Sequence, residues 1–202
     1  MPFDPPPAFA AWRHCDAREG FEVVFIRAGL DGHTIAGQTS AVEDGHAWSV
    51  SYSVRVDRSW ATQRAEITGH SSAGRRRLVI ERQASGPWLV NGVAMPALQG
   101  CQDVDLESSA LTNALPVHRL GLAVGEAAQS PAVYVRALDL AVERLEQRYA
   151  READEAGGQR YEYEAPRFEL RCELVYDRHG LLLDYPGLAR RWVDPDRRAT
   201  GG

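Results

Sequence analysis

The sequence predicts a mainly β protein organised as a long antiparallel meander with little helix, and three observations carry that prediction. Two segments alternate strictly, turn chemistry recurs at short spacing between apolar runs, and only two stretches fit a helix. Trp48, Val50, Tyr52, Val54 and Val56 alternate with Ser49, Ser51, Ser53, Arg55 and Asp57, so one face of this strand meets a core and the other meets water or polar partners. Phe168, Leu170, Cys172, Leu174 and Tyr176 alternate with Arg167, Glu169, Arg171, Glu173 and Asp177. That run ends at Asp177-Arg178-His179-Gly180, which has hairpin-turn chemistry and predicts a returning strand over residues 181–185.

Weaker strands are expected at residues 21–27, 34–42, 62–68, 77–82, 88–90, 133–137 and 160–164. Asp31-Gly32, Asp44-Gly45, Ala73-Gly74, Ser85-Gly86-Pro87, Asn91-Gly92 and Gly157-Gly158 supply the turns between strands. Residues 138–149 match two templates: Leu138, Val142, Leu145 and Tyr149 have helical spacing, while Leu138, Leu140 and Val142 alternate. The second helical candidate is residues 108–115, with Ser108 or Ser109 as N-cap and Pro116 ending the helix near Leu115. No compositional break or repeat divides the chain, so residues 1–202 read as one domain. The start up to about Pro7 and residues 195–202 offer little apolar surface to offset ordering and are expected to be disordered.

A chain of 202 residues buries roughly 70% of its unfolded surface, enough for a substantial core. No apolar run approaches the roughly 20 residues of a membrane-spanning helix, so a soluble protein is expected. The net charge of −5 disfavours nucleic acid and anionic membranes as partners. All 23 basic residues are Arg, a mark of a GC-rich genome that leaves no Lys for a Schiff base or a P-loop. Cys15, Cys101 and Cys172 are odd in number and widely spaced, which fits neither a disulfide framework nor a zinc site. Reduced thiols and an N-terminus without the charged and apolar regions of a secretory signal predict a cytoplasmic protein.

The chemistry-bearing residues concentrate between Gly100 and Leu120. Asp103 and Asp105 stand two apart, so a strand would point both carboxylates to one face and Val104 and Leu106 to the other. Such a pair can bind a hard cation or share a proton, but no third acidic ligand is near, and pairing with Arg119 or a strand Arg is the stronger reading. Asn113 beside Thr112 can read a sugar hydroxyl or a polar headgroup, or bond the local backbone. Arg119 can clamp a phosphate or carboxylate, or pair internally with the aspartates. His118 has no acid or nucleophile partner by spacing, and the six histidines include no i, i+4 pair. No catalytic residue, metal site or cofactor is assigned. Gly69 to Gly74 lacks the spacing and the strand-to-helix setting of a nucleophile elbow, Arg75-Arg76-Arg77 reads as a solvated edge, and the five Trp residues read as core or rim.

Gly100-Cys101-Gln102-Asp103-Val104-Asp105-Leu106, continuing through Thr112-Asn113-Ala114-Leu115-Pro116-Val117-His118-Arg119-Leu120, resembles the signature of the bacterial "putative glycolipid-binding" family. The usual family form reads Gly-Cys-x-Asp-Val-Asp-Leu, then Thr-Pro, then Thr-Asn-x-Leu-Pro-Ile-Arg-Arg-Leu. Trp88 with Asn91-Gly92, Gln147-Arg148-Tyr149, Tyr161-Glu162-Tyr163, and Asp177 with Gly180 before Asp184-Tyr185-Pro186 extend the similarity over nearly the whole chain. Ser109-Ala110 stands where the family tends to have Thr-Pro, and His118 where it tends to have the first Arg of the pair.

The resemblance implies a spiral β-roll, a long antiparallel sheet wound around a single short helix, similar to lipoprotein carriers. It assigns residues 138–149 to strand and residues 108–115 to the enclosed helix, and it implies an apolar lumen able to take an acyl chain. Asp103, Asp105, Thr112, Asn113, His118, Arg119, Tyr149 and Tyr185 are then the candidate ligand-binding residues. The preferred expectation is a non-catalytic cytoplasmic binding or carrier protein for a glycolipid or other amphipathic lipid. One alternative is an enzyme using Asp103, Asp105 and His118 in acid–base roles; another is a module that dimerises through an edge strand.

Overall fold

The computed structural model describes residues 3–82, 86–154 and 158–192. The first strands follow one another in a meander: β1 (Phe9–His14), β2 (Glu19–Gly29), β3 (Gly32–Glu43), β4 (His46–Asp57), β5 (Thr62–Ser71), β6 (Gly74–Arg82), β7 (Trp88–Val90) and β8 (Val93–Ala94). Then come β9 (Asp103–Leu106) and a 3-10 turn at Leu111–Asn113 that runs directly into α1 (Ala114–Leu120). The rest is β10 (Ala127–Gln129), β11 (Ala132–Val135), β12 (Val142–Leu145), β13 (Arg148–Arg151), β14 (Gln159–Ala165), β15 (Leu170–Tyr176), β16 (Leu182–Tyr185) and β17 (Ala189–Arg191).

Fourteen strands form one sheet in the order β10-β13-β14-β15-β16-β17-β1-β2-β3-β4-β5-β6-β7-β8, which does not close into a barrel. The expected mainly β fold, a long antiparallel sheet with one short helix, is the fold observed. The N-terminal strand joins two wings of this sheet, because β1 pairs with β2 on one side and with β17 on the other. A small second sheet, β12-β11-β9, carries the aspartate strand, with β9 parallel to β11.

Alternation decides which face is inside. Along β4 the side chains of Trp48, Val50, Tyr52, Val54 and Val56 are buried, while Ser51, Ser53 and Arg55 are exposed. The other wing buries Tyr149, Tyr161, Tyr163, Leu174 and Tyr176. These inner faces and α1 share one core, in which Ala114, Leu115 and Val117 have no exposure.

Three local expectations are corrected. The helix does not occupy residues 108–115 and Pro116 does not end it. Pro116 is the third residue of α1, within the first turn, where a missing N–H costs little, and the helix runs on to a left-handed cap at Gly121 (φ 56°), whose N–H donates to the Val117 carbonyl at 3.2 Å. The late alternating run starts at Leu170, because Pro166–Phe168 forms a 3-10 turn closed by Glu169 at φ 50°. At the start of the described chain the Asp4 N–H donates to the Arg178 carbonyl at 2.9 Å, and the Phe3 ring lies 4.6 Å from that of His118. Residues 195–202 lie outside the described residues. The strand assignment of residues 138–149 is met by β12 and the start of β13 and corrected at residues 138–141, which form a turn and connection with Leu140 at φ 55°.

Because Leu115 is fully enclosed, Leu115→Ala should cost about 2–5 kcal/mol in urea unfolding. A loss below about 1 kcal/mol would mean that the helix is not part of a close-packed core.

Candidate functional site

The aspartate strand and the helix are locked together by charge. Arg119, in the last turn of α1, donates through Nε to both Asp103 carboxylate oxygens at 3.1 Å and through Nη2 to Oδ2 at 2.7 Å. Arg119 Nη2 also reaches Ser130 Oγ at 2.7 Å. Burial raises the Asp103 pKa, and the Arg119 contact opposes that rise. This is the internal pairing that the sequence weighed against a cation site, and among the described residues no cluster of His, Cys, Asp or Glu is arranged to hold a metal ion.

Asp105 is held differently. Thr112 Oγ1 donates to Oδ1 at 3.0 Å and Gln147 Nε2 to Oδ2 at 2.5 Å. Burial is the main reason its pKa is pushed up to about 6, and the charges of Glu107 and Asp103 add to it. Asn113 accepts from the Tyr149 hydroxyl through Oδ1 at 3.2 Å, and its backbone carbonyl accepts from the Tyr176 hydroxyl at 3.1 Å.

His118 faces away from these groups. Its ring stacks on Trp60 at 3.7 Å and 8°, Phe3 packs on it, and Nε2 lies 3.0 Å from the His179 carbonyl. Burial lowers its pKa to about 4, so it is neutral at ordinary pH. The proposed acid–base trio therefore has three separate sets of partners: Arg119 and Ser130 for Asp103, Thr112 and Gln147 for Asp105, and Trp60, Phe3 and His179 for His118.

A fourth group, Glu22, was not singled out from the sequence. It lies on the inner face of β2, in phase with buried Val24 and Ile26, and has no exposure. It accepts from Tyr52 Oη at 2.6 Å, Ser109 Oγ at 2.5 Å and the Ala110 N–H at 2.8 Å. Burial raises its pKa against the pull of those donors. Tyr52 reaches Glu22 by crossing β3 at Gly37, where a Cβ would stand 2.2 Å from the tyrosine ring. A carboxylate in phase with an apolar alternation was the available sequence signal.

A cavity of about 400 Å³ lies beside this assembly, in the range of small-molecule sites. Its wall is mainly apolar, with Leu106, Ala110, Leu145, Leu170 and Leu188 among the contributors. Of the eight candidate residues, Asp105, Asn113 and Tyr185 line it; Asp103, Thr112, His118, Arg119 and Tyr149 are not part of the wall.

His14 and Arg18, which sequence reasoning passed over, do line the cavity, and both are buried at 3% and 6% exposure. Neither ring nitrogen of His14 has a hydrogen-bond partner, and burial together with the Arg18 charge lowers its pKa to about 4. Arg18 Nη1 donates to the Glu107 carbonyl at 2.9 Å, while Nε has no hydrogen-bond partner and stands 3.8 Å from the Glu43 carboxylate. A buried polar group left unsatisfied costs roughly 1–3 kcal/mol.

The comparisons with known proteins agree with this architecture. A family profile described as "Putative glycolipid-binding" matches residues 9–191. The chain belongs to this family. The crystal structure of a DUF1089 family protein from Pseudomonas aeruginosa is similar at 31% identity with a TM-score of 0.75, covering 90% of this chain and 95% of that one. No curated protein matches the chain. The signature residues of this family member thus form, for the most part, the joint between strand and helix, and a smaller part of them reaches the cavity.

Two measurements probe the joint. Arg119→Met leaves the Asp103 carboxylate buried and unpaired and should cost about 3–5 kcal/mol in urea unfolding. Adding Asp103→Asn should restore part of the loss; no recovery would count against the pair as the source. Asp105 titrates near 6 in the folded chain against an ordinary value of 3.8. The folded state thus holds a proton that the unfolded state has released, and stability falls as pH rises between about 4 and 6, by up to about 3 kcal/mol. Asp105→Asn should lack that fall, and parallel stability–pH curves for the two proteins would refute the assignment.

Proposed function

We propose that this protein binds an amphipathic lipid, such as a glycolipid, in the cavity beside α1, as a non-catalytic binding or carrier protein. The observation that carries the reading is the cavity: about 400 Å³, mainly apolar, with Asp105, Asn113, Tyr185, His14 and Arg18 as polar groups in its wall. Removing an alkyl chain from water contributes about 0.8 kcal/mol per methylene, so a short chain in such a wall gives useful affinity without a charged anchor. The description of the family points to the same ligand class.

The engagement of Asp103 by Arg119 and of His118 by Trp60 supports a binding role over acid–base catalysis, because neither group is left free to act on a bound molecule. Among the described residues no helix is long and apolar enough to cross a membrane, and Cys15, Cys101 and Cys172 are free thiols. The free thiols support a reducing, cytoplasmic setting.

Native mass spectrometry of gently purified protein should show a bound lipid that denaturing conditions release. Leu170→Trp places an indole in the cavity wall and should remove that adduct, or weaken it about tenfold or more, while circular dichroism stays unchanged. A ligand-free spectrum for the unmodified protein, or an adduct that the tryptophan leaves untouched, would refute the site.

A further inference from the structure

Of the two signature aspartates, Asp105 is the one that reaches the cavity, and it does so without a cation of its own. It is half-buried in the wall beside Leu106 and Leu145, whereas Asp103 and the Arg119 guanidinium that pairs with it lie outside the wall. Arg18, the cation of the wall, donates to the Glu107 carbonyl and stands 3.8 Å from the Glu43 carboxylate. Neutral donors hold Asp105 instead: Gln147 Nε2 at 2.5 Å and Thr112 Oγ1 at 3.0 Å.

The Thr112 hydroxyl has two acceptors within reach and one hydrogen to give. Oγ1 stands 3.0 Å from Asp105 Oδ1 and 3.1 Å from the Ser109 carbonyl, and it accepts from the Leu106 N–H at 3.2 Å. With Asp105 ionised, the hydroxyl donates to the carboxylate, and the carbonyl of buried Ser109 goes without that hydrogen. With Asp105 protonated on Oδ1, the acid donates to Thr112 Oγ1, whose own hydrogen turns to the Ser109 carbonyl, and all three groups are served. Gln147 keeps its place in both states, since its amide also donates to the Tyr163 hydroxyl at 2.8 Å.

The groups packed around Asp105 favour the same protonated state. Burial, and after it the charges of Glu107 and Asp103, raises its pKa to about 6. Tyr134 on β11, Tyr149 on β13, Tyr163 on β14, Tyr176 on β15 and Tyr185 on β16 feel its charge, and burial holds those phenols protonated. Arg18, Glu43 and His14 complete the titratable groups of the wall, and His14, with its pKa near 4, is neutral above pH 5. An alkyl chain entering the cavity replaces water beside Asp105 with hydrocarbon, which penalises the carboxylate and not the carboxylic acid.

We infer that filling the cavity with an alkyl chain is coupled to uptake of a proton by Asp105, so that the protein holds its lipid more tightly in mildly acidic solution and lets it go as pH rises, with the Thr112 hydroxyl turning between Asp105 and the Ser109 carbonyl as the proton leaves and returns. This inference rests on the lipid-binding reading and adds a regulation of the same site. The unliganded chain already carries the proton below about pH 6, so affinity is highest there and falls above it, until the pH at which the filled cavity also releases the proton.

The test uses octyl β-D-glucoside, a probe with no group that titrates between pH 5 and 8, added below its micelle concentration to the delipidated full chain in isothermal calorimetry. The dissociation constant should be about tenfold or more higher at pH 8 than at pH 5. At pH 7, runs in phosphate and in imidazole, whose ionisation enthalpies differ, should give a net uptake of about half a proton per bound probe. Asp105→Asn should bind with one affinity at both pH values and take up no proton. Carboxyl carbon NMR of the unmodified protein, in which the Asp105 signal should titrate at higher pH once the probe is bound, keeps the test open if that variant does not fold.

Equal affinity at pH 5 and pH 8 without proton uptake, or tighter binding at pH 8, overturns the coupling and leaves lipid binding intact. A pH dependence that persists in folded Asp105→Asn, or an Asp105 signal whose titration the probe leaves unmoved, overturns the assignment to Asp105. Absence of binding at both pH values overturns the lipid site and the coupling together.

Discussion

A helix placed inside a sheet cannot turn to water for its unpaired backbone groups, and that constraint organises most of the polar residues in this protein. The segment that leads into α1 is buried from Ser108 through Val117, so its N–H and C=O groups need protein partners. Glu22 takes the Ala110 N–H, Thr112 Oγ1 takes the Leu106 N–H at 3.2 Å, and Tyr176 donates to the Asn113 carbonyl. Thr39 adds a fourth tie by donating to the Ser108 carbonyl at 2.6 Å. Glu22, Thr39 and Tyr176 come from distant parts of the chain, so the wings of the sheet are fastened to the helix segment as well as to each other. Tyr52 helps Ser109 and the Ala110 N–H offset the cost of burying Glu22 by crossing the strand between them, and the absence of a side chain at Gly37 is what lets it do so.

The cavity has a cause in the same geometry. The wings meet where β1 pairs with β17, and the strands at that seam are short: β16 has four residues and β17 three. The register between β15 and β16 also shifts at Val175/Tyr176. Longer strands would carry more inward side chains, as β2 to β5 do, and would fill the space. The turns at residues 17–18 and 186–188 form part of the cavity wall instead, and turn residues supply less bulk than paired strands.

What the sequence made legible is what local periodicity encodes. The strand at Trp48 to Val56 is visible because one tyrosine and four apolar residues fall on every second position, and burial follows that alternation without exception. The pairing of Asp103 with Arg119 was legible as an alternative because both charges sit inside one apolar segment. The helix boundaries were not legible. Proline reads as a stop when its position in the helix is unknown, yet within the first turn it removes a donor that has no partner there. His14 and Arg18 were hidden for another reason. Nothing near them in sequence marks them, and the groups against Arg18 come from Glu43, Trp48 and Glu107, the last of them 89 residues away.

The substitution at position 118 shows how the signature divides its labour. The usual family form has an Arg pair here, and a ligand-clamping role would make His118 a damaging departure. The structure gives the position a different task. The ring lies flat on Trp60 at 3.7 Å, with His33 on the indole at 4.7 Å, and Phe3 closes on the histidine. A guanidinium is also planar and stacks on aromatic faces, so Arg and His both satisfy the demand for a flat group against the indole. Charge at this position is secondary, because the neutral imidazole needs only the His179 carbonyl as a partner. Arg119, by contrast, answers a buried carboxylate with a fork of donors, and a planar ring could not replace it. The departure from the family form therefore falls on a packing position and leaves the cavity wall, with its one Arg and three carboxylates, unaltered.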